Sequence, residues 1–138
     1  MDLTTFLAPV LALISLTLIV WVHLYARRIP AMQAANMDPE EAKFPGTYAD
    51  RLPEAARAAA DNYNHLMEQP TIFYALMGYA ALTEQTFAAV YWLAWGYVAL
   101  RALHTVVQLS MGKVMIRFAL FALSTLCLFG MVGVMLLS

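Results

Sequence analysis

Apolar positions along this chain gather into four long stretches, and polar residues mark the ends of each. The first, Leu3 to Ala26, carries no formal charge. As a helix rising about 1.5 Å per residue it reaches about 36 Å, against the roughly 30 Å hydrocarbon core of a bilayer, so it crosses with room to tilt. A cleavable signal peptide is the competing reading. Asp2, the lack of Lys or Arg ahead of the run, and the length of the run favour a retained span. The second helix starts near Pro53 or Glu54 and ends at Leu82. Its alanine-rich, polar first part, Glu54 to His65, projects from the membrane; its apolar part begins at Leu66, and Pro70 sets a kink. The third covers Phe87 to Leu109 and the fourth Val114 to Leu137, after the short turns Thr83 to Thr86 and Ser110 to Lys113. Such turns make helices two, three and four antiparallel neighbours. The pattern predicts an all-α integral membrane protein, a single four-transmembrane-helix bundle over residues 1–138, with helices at about 3–26, 54–82, 87–109 and 114–137.

The connection at about 27–53 is long for a compact bundle and is punctuated by Pro30, Pro39, Pro45 and Gly46. Within it, Asp38 reads as a helix cap, with Pro39 in the first turn and Glu41 three residues after the cap. A loop of this length covers a site or is partly disordered more often than it merely connects. Arg27, Arg28, Lys43, Arg51 and Arg57 fall in or beside this loop, and Lys113 and Arg117 at the last turn. The positive-inside rule then places both basic loops in the cytoplasm and both termini outside.

Composition agrees with the membrane reading. The chain is 62% hydrophobic and 12% charged, far from the quarter or so of charged residues usual in soluble domains. A net charge of −1 with no basic run argues against a nucleic-acid partner. The single cysteine, Cys127, lies in an apolar run and reads as a buried, inert thiol. Three scattered histidines and one cysteine, without HExxH, CxxC or EF-hand spacing, predict no metal site.

Basic groups at membrane depth change the picture most. A guanidinium near a bilayer centre costs at least about 2.5 to 3.5 kcal/mol on insertion scales, so it persists where it pairs, lines a wet cavity or binds something. On helix three, Arg101, His104 and Gln108 share one face; on helix two, Asp61, Asn64, His65 and Glu68 share another. Glu68 with Arg101 is the first expected ion pair. Structural glue between membrane helices is the bland reading of such stripes. Arg117, Asn62 and Asn64 on the same side, with Arg27 and Arg28 at the neighbouring mouth, leave more cationic donors than one pair consumes. That surplus suits an anionic ligand with more than one carboxylate.

The run Arg101-Ala-Leu-His104-Thr-Val-Val-Gln108, followed by Lys113 and Arg117, resembles the signature of the third and fourth helices in the membrane-associated proteins in eicosanoid and glutathione metabolism, the MAPEG family. Its spacing is closest to the microsomal prostaglandin E synthase and microsomal glutathione transferase branch. The segment Asn62 to Tyr74 is similar to the family's second-helix pattern of Asn, Glu and Pro in a bacterial form, and Ala26-Arg27-Arg28 resembles the arginine-bearing end of its first helix. The resemblance implies a homotrimer of four-helix subunits in a bacterial inner membrane, with glutathione bound between subunits near the cytoplasmic side.

Carried over by position, Arg117 corresponds to the arginine that holds the glutathione thiolate in the family. Arg101 and His104 belong to the binding region, Arg28 or Arg27 contacts the tripeptide, and Glu68 receives its amino group. Asn64 or Asn62 is the helix-two asparagine; the four-residue step from Asn64 to Glu68 replaces the usual three. A tyrosine common one turn after the His104 position is Gln108 here, and Phe118 stands where the prostaglandin synthase has serine, so prostaglandin isomerisation is poorly supported. The energetics are sufficient. Lowering a thiol pKa from about 8.5 by about two units takes about 2.7 kcal/mol, and one charged hydrogen bond supplies about 1.5 to 3 kcal/mol. The implied function is a glutathione-dependent membrane transferase that conjugates hydrophobic electrophiles and reduces lipid hydroperoxides. A non-catalytic lipid-binding or scaffold protein and a small transporter using Glu68 and His104 are the alternatives. Trp21, His23, Tyr91, Trp92, Trp95 and Tyr97 read as interfacial or packing residues, and Gly130 and Gly133 as points of close helix approach.

Overall fold

A computed structural model describes residues 1–44 and 46–138, apart from the side chain of Ala49; Pro45, one of the loop prolines, lies outside the described residues. The chain forms six α-helices: α1 (Leu3–Phe6), α2 (Ala8–Ala34), α3 (Glu54–Glu68), α4 (Pro70–Leu82), α5 (Ala88–Ser110) and α6 (Val114–Leu137), with no strand among the described residues. Asp2 caps α1 by accepting from the Thr5 amide and hydroxyl, both at 2.8 Å. Those bonds hold its carboxyl below the ordinary range. Pro9 follows at the start of α2, where its missing N–H costs nothing.

The first long helix overruns its expected end at Ala26 by eight residues, through Arg27, Arg28 and Pro30, and the loop starts at Ala35 rather than at residue 27. Ala, Met, Gln and Arg are strong helix formers, and they outweigh one internal proline. Asn36 stops the helix in the left-handed region at φ +50°, which Asn tolerates better than most residues. The Met37 amide donates back to Met32 O at 3.1 Å, closing a Schellman turn. In the loop, Asp38 caps a 3-10 turn over Pro39–Ala42 by accepting from the Glu40 amide at 3.0 Å, as expected. Arg51 donates to Glu41 across the loop, between two exposed side chains.

The predicted second helix is two, α3 and α4, divided at Pro70. Proline has no N–H for the Leu66 carbonyl, yet Gln69 keeps helical angles of φ −60° and ψ −36°, so the rod continues through the interruption. Gln69 also pins the joint: its Nε2 donates to Thr125 Oγ1 at 2.7 Å, and Tyr97 OH donates to its Oε1 at 3.4 Å.

The helices alternate in direction around a main apolar core, with α5 and α6 packed along their lengths and α3 against both α2 and α5, and Met37, Leu52 and Ala56 form a smaller cluster at the loop. Phe6, Leu13 and Val20 recur at seven-residue steps on the buried face of α1–α2, and Leu66, Phe73 and Ala80 do so on α3–α4. Phe73 stacks on Tyr97 with centroids 4.8 Å apart. Gly130 permits close approach of α5 and α6, since a Cβ there would sit 3.1 Å from Leu93 Cδ1. Gly133 makes no such contact, because nothing lies within 4 Å of its Cβ position.

Two helices, α2 and α6, are long and apolar enough to cross a membrane. Only 22% and 17% of their most apolar windows are buried, whereas the core helix of a soluble protein is mostly buried. Their outward faces, including Leu11, Leu18 and Ile19 on α2 and Leu126 and Phe129 on α6, suit contact with lipid or with another subunit. The other two expected spans are interrupted by Pro70 and by Arg101 and His104.

Replacing Gln69 by Leu removes the pin between α4 and α6. We expect a loss of about 1 kcal/mol in detergent unfolding followed by circular dichroism, and little further loss when Thr125→Val is added, because both changes remove the same bond. Acidification frays α1: the depressed Asp2 carboxyl contributes stability above its ordinary pKa, and that contribution disappears as pH falls through the lower folded value. Amide exchange at Thr5 measured down a pH series, against Asp2→Ala, reads this directly.

Candidate functional site

The buried stripe of α5 changes character halfway along. Val90, Ala94, Tyr97 and Val98 are apolar, and one turn on the same face continues as Arg101, His104, Thr105 and Gln108, all buried. The up-and-down topology brings the last turns of α5, the first turns of α6, the start of α3 and the end of α2 to one end of the bundle, beneath the loop. The sequence predicts this convergence, and the fold delivers it.

Arg101 is the largest buried side chain here, with 1% of its surface exposed. One guanidinium nitrogen, Nη2, donates to His65 O at 3.0 Å, while Nε and Nη1 have no partner. Glu68 does not pair with it. The Glu68 side chain is 71% exposed and lies 4.0 Å from His65 Nδ1, so the expected Glu68–Arg101 ion pair is replaced by a bond to a backbone carbonyl. The reason is positional: Glu68, in the last turn of α3, turns outward while the carbonyl of His65 points along the helix toward α5.

Several other polar atoms here are buried without a partner: both amide atoms of Asn62, His104 Nδ1, Gln108 Oε1 and Arg117 Nε. Folded proteins satisfy nearly all such atoms, so a group of them at one end of a bundle marks a place where water or a ligand completes the bonding. Arg117 stands in the first turn of α6. It lines a cavity of about 210 Å³ with His65, His104 and Phe118, the two imidazoles meeting edge to face at 5.5 Å. The amino-terminal end of α6 adds its partial positive charge beside this cavity. Arg117 and Gln108 line a second cavity, of about 310 Å³, with Arg57 and Asp61.

Across α3 lies a larger cavity, about 530 Å³, under the loop. Arg28 donates to Tyr48 OH there and stacks over that ring, with its Cζ 5.4 Å from the centroid. Asn64, Arg57, Asp61 and Tyr63 complete its polar wall. Arg27 is exposed and lines none of these cavities, which favours Arg28 of the two candidates. Asn62 and Asn64 diverge: Asn62 is wholly buried and unpartnered, and Asn64 is exposed at the large cavity. The structure therefore brings Arg101, His104, Gln108 and Arg117 together and leaves Arg28 and Asn64 on the other flank of α3.

Below the large cavity, the seam between α2 and α3–α4 continues as two smaller apolar hollows. Thr17, Leu18, Trp21 and Tyr63 line one of about 290 Å³, and Leu18, Leu66, Met67 and Tyr74 are among those lining the next, of about 260 Å³.

Four site residues receive no role from the sequence. His65 and Asp61 lie on the predicted polar stripe, and His65 stands three residues before Glu68, the spacing expected of the asparagine. Arg57 and Asp61 are one helical turn apart and reach cavities on both flanks of α3. Tyr48 carries no local signal, since only the folded loop sets it on Arg28.

An all-helical bundle with apolar outer faces and a cluster of unpartnered basic and amide groups at one end defines a membrane protein with an internal polar site. The MAPEG family model matches residues 6–137, essentially the whole chain, and the protein belongs to that membrane-associated family, which includes glutathione transferases and related proteins. No curated protein and no solved structure matches it.

Arg101→Met tests whether the buried guanidinium is a ligand group or a structural one. With two of its three nitrogens unpartnered, its removal leaves the unfolding midpoint of the ligand-free protein unchanged or raised, since an apolar chain of similar volume replaces an incompletely bonded charge. A clear drop in midpoint, measured in detergent by circular dichroism, overturns that assignment.

Proposed function

We propose that this chain is a four-span, glutathione-dependent membrane transferase that acts as a homotrimer, conjugating hydrophobic electrophiles and reducing lipid hydroperoxides. The α3–α4 rod and α5 serve as the second and third spans, and the site faces the cytoplasm of a bacterial inner membrane with both termini outside. The carrying observation is the surplus of unpartnered buried groups at one end of the bundle: Arg101 Nε and Nη1, Arg117 Nε, His104 Nδ1 and Gln108 Oε1, with no carboxylate paired to Arg101 or Arg117 among the described residues.

These residues fit glutathione, which has two carboxylates, one ammonium group and a thiol. Arg117 and the amino-terminal end of α6 favour a negative charge in the cavity they border. Gln108 Oε1 accepts a hydrogen bond from an amide N–H, and the exposed Glu68 carboxylate is available to an ammonium group. Arg28 and Arg57 offer charged donors to a carboxylate. Glutathione, when bound, supplies the nucleophilic sulfur. The chain's own task is to hold that sulfur anionic and to orient the tripeptide, which requires no protein nucleophile. Arg28 and Arg117 on opposite flanks of α3 support a trimer, in which one ligand touches Arg28 of one subunit and Arg117 of the next.

A lipid-binding protein without turnover is the second reading, favoured by the apolar seam between α2 and α3–α4.

Mixing glutathione with detergent-purified protein should produce an ultraviolet thiolate difference signal. In Arg117→Ala the pH midpoint of that signal should rise by about one to two units, the equivalent of losing a charged hydrogen bond of about 1.5 to 3 kcal/mol. An intact, folded wild type that gives no signal transfers the assignment to the lipid-binding reading.

A further inference from the structure

His65 stands where the polar site meets solvent. Its imidazole lines the cavity of about 210 Å³ with Arg117, meets the His104 ring edge to face at 5.5 Å, and belongs to a side chain 35% exposed. Its Nδ1 lies 4.0 Å from the Glu68 carboxylate, one turn further along α3. The His65 carbonyl accepts from Arg101 Nη2 at 3.0 Å, which fixes the backbone beneath the ring. We propose that His65 is the acid–base residue of this site: it takes the proton of the glutathione thiol and returns it to the alkoxide that leaves when a lipid hydroperoxide is reduced. The inference rests on the glutathione reading and adds to it the group that carries the proton.

The charges around the cavity select His65 over its neighbours. Arg101 and Arg117 stay protonated and cannot accept a proton. His104 is buried, and no carboxylate stands beside it among the described residues, so a proton taken up there has no counter-charge. His65 has Glu68 as its counter-charge and enough exposure to exchange a proton with water. With Nδ1 turned to Glu68, Nε2 is the nitrogen left for substrate. The two oxygens of Glu68 let it serve both this ring and an ammonium group. The charged and titratable groups around His65 are therefore Glu68 on α3, Arg101 and His104 on α5, and Arg117 on α6.

Val114, Phe118 and Phe121 supply the apolar part of the cavity wall, and Val114 and Phe118 are exposed, which suits a hydroperoxide borne on a hydrocarbon chain. The thiol S–H bond breaks with its electron pair left on sulfur beside Arg117, and the proton goes to His65 Nε2. The sulfur attacks the terminal peroxide oxygen, the O–O bond breaks, and the departing alkoxide takes the proton from Nε2 to leave as an alcohol. A second thiol then displaces the hydroxyl from sulfur, giving a disulfide and water. Two thiols are oxidised, one hydroperoxide is reduced, and the imidazole ends as it began. An alkoxide is about as basic as hydroxide, whose conjugate acid has a pKa of about 15.7, so its departure needs a proton donor. A halide leaves without one, so conjugation of an aryl halide depends on the thiolate far more than on His65.

The first readout is the proton itself, without turnover. The full chain in detergent and weak buffer is mixed with glutathione at about pH 7.5, above the ordinary imidazole value of about 6.5. An indicator dye counts protons released, the ultraviolet signal counts thiolate formed, and S-methyl glutathione subtracts protons unrelated to the thiol. The wild type should release fewer than about half a proton per thiolate, and His65→Gln about one. Glu68→Gln, which removes the counter-charge, should fall between them. In turnover, kcat/KM for cumene hydroperoxide should drop about a hundredfold in His65→Gln and that for chlorodinitrobenzene no more than about threefold. Added imidazole should restore part of the hydroperoxide rate in His65→Ala.

One proton per thiolate in the wild type overturns the proposal, as do equal losses in the two reactions, which would make His65 a binding or packing residue. A wild type that forms thiolate but reduces no hydroperoxide overturns it too. Absence of thiolate in the folded wild type is a different outcome, because it removes the glutathione reading itself and this inference with it.

Discussion

A guanidinium inside an apolar bundle is the constraint around which this protein is arranged. Arg101 lies in the wall between α3 and α5 and is held there by a single bond to the His65 carbonyl. A charge so placed is tolerable only if its remaining donors find partners, and the neighbouring residues are polar over the same stretch of helix: His104, Thr105 and Gln108 on α5, Asn62 and His65 on α3, Arg117 on α6. The apolar half of the bundle, built on Phe73 stacked against Tyr97, keeps those groups at one end by giving them nowhere else to go. The polar site and the apolar core are one design seen from its two ends.

The helix break at Pro70 belongs to the same arrangement. Its position, two residues after Glu68, separates the polar half of the rod from the apolar half. Gln69 compensates by bonding to Thr125, so the joint is fixed by a side chain where the backbone cannot fix it. The α3 segment consequently acts as a partition, with polar groups on both flanks: Arg28 and Tyr48 on the loop side, Arg117 and His104 on the other. Arg57 and Asp61, one turn apart on α3, are common to both. A partition of this kind makes the subunit an incomplete container for a ligand that needs all these groups.

The legibility of the chain was uneven, and the reasons are physical. Helix positions followed from apolar run length, and short turns gave antiparallel order, because both depend on local sequence alone. The Asp38 cap and the start of α3 after Pro53 were likewise local and were found where the residues placed them. The overrun of α2 to Ala34 was missed because charge was taken to end the span, whereas helix propensity does not stop at a membrane surface. Gly130 was read correctly as a close-packing position and Gly133 was not: spacing identifies candidate small residues, but only the crossing of α5 and α6 decides which of them meets a neighbour.

By itself the sequence determined that this chain is helical and suited to a membrane, and that its polar groups, Arg101, His104, Gln108 and Arg117 among them, gather at one end, since helical periodicity and topology suffice for each. Tertiary structure alone decided that Arg101 takes a carbonyl instead of Glu68, that Arg28 and not Arg27 faces a cavity, that His65 meets His104, and that Tyr48 closes on Arg28. Those outcomes depend on how helices rotate about their axes and on where a long loop comes to rest. Neither is encoded in any short window of residues; both are set by the packing of the whole bundle.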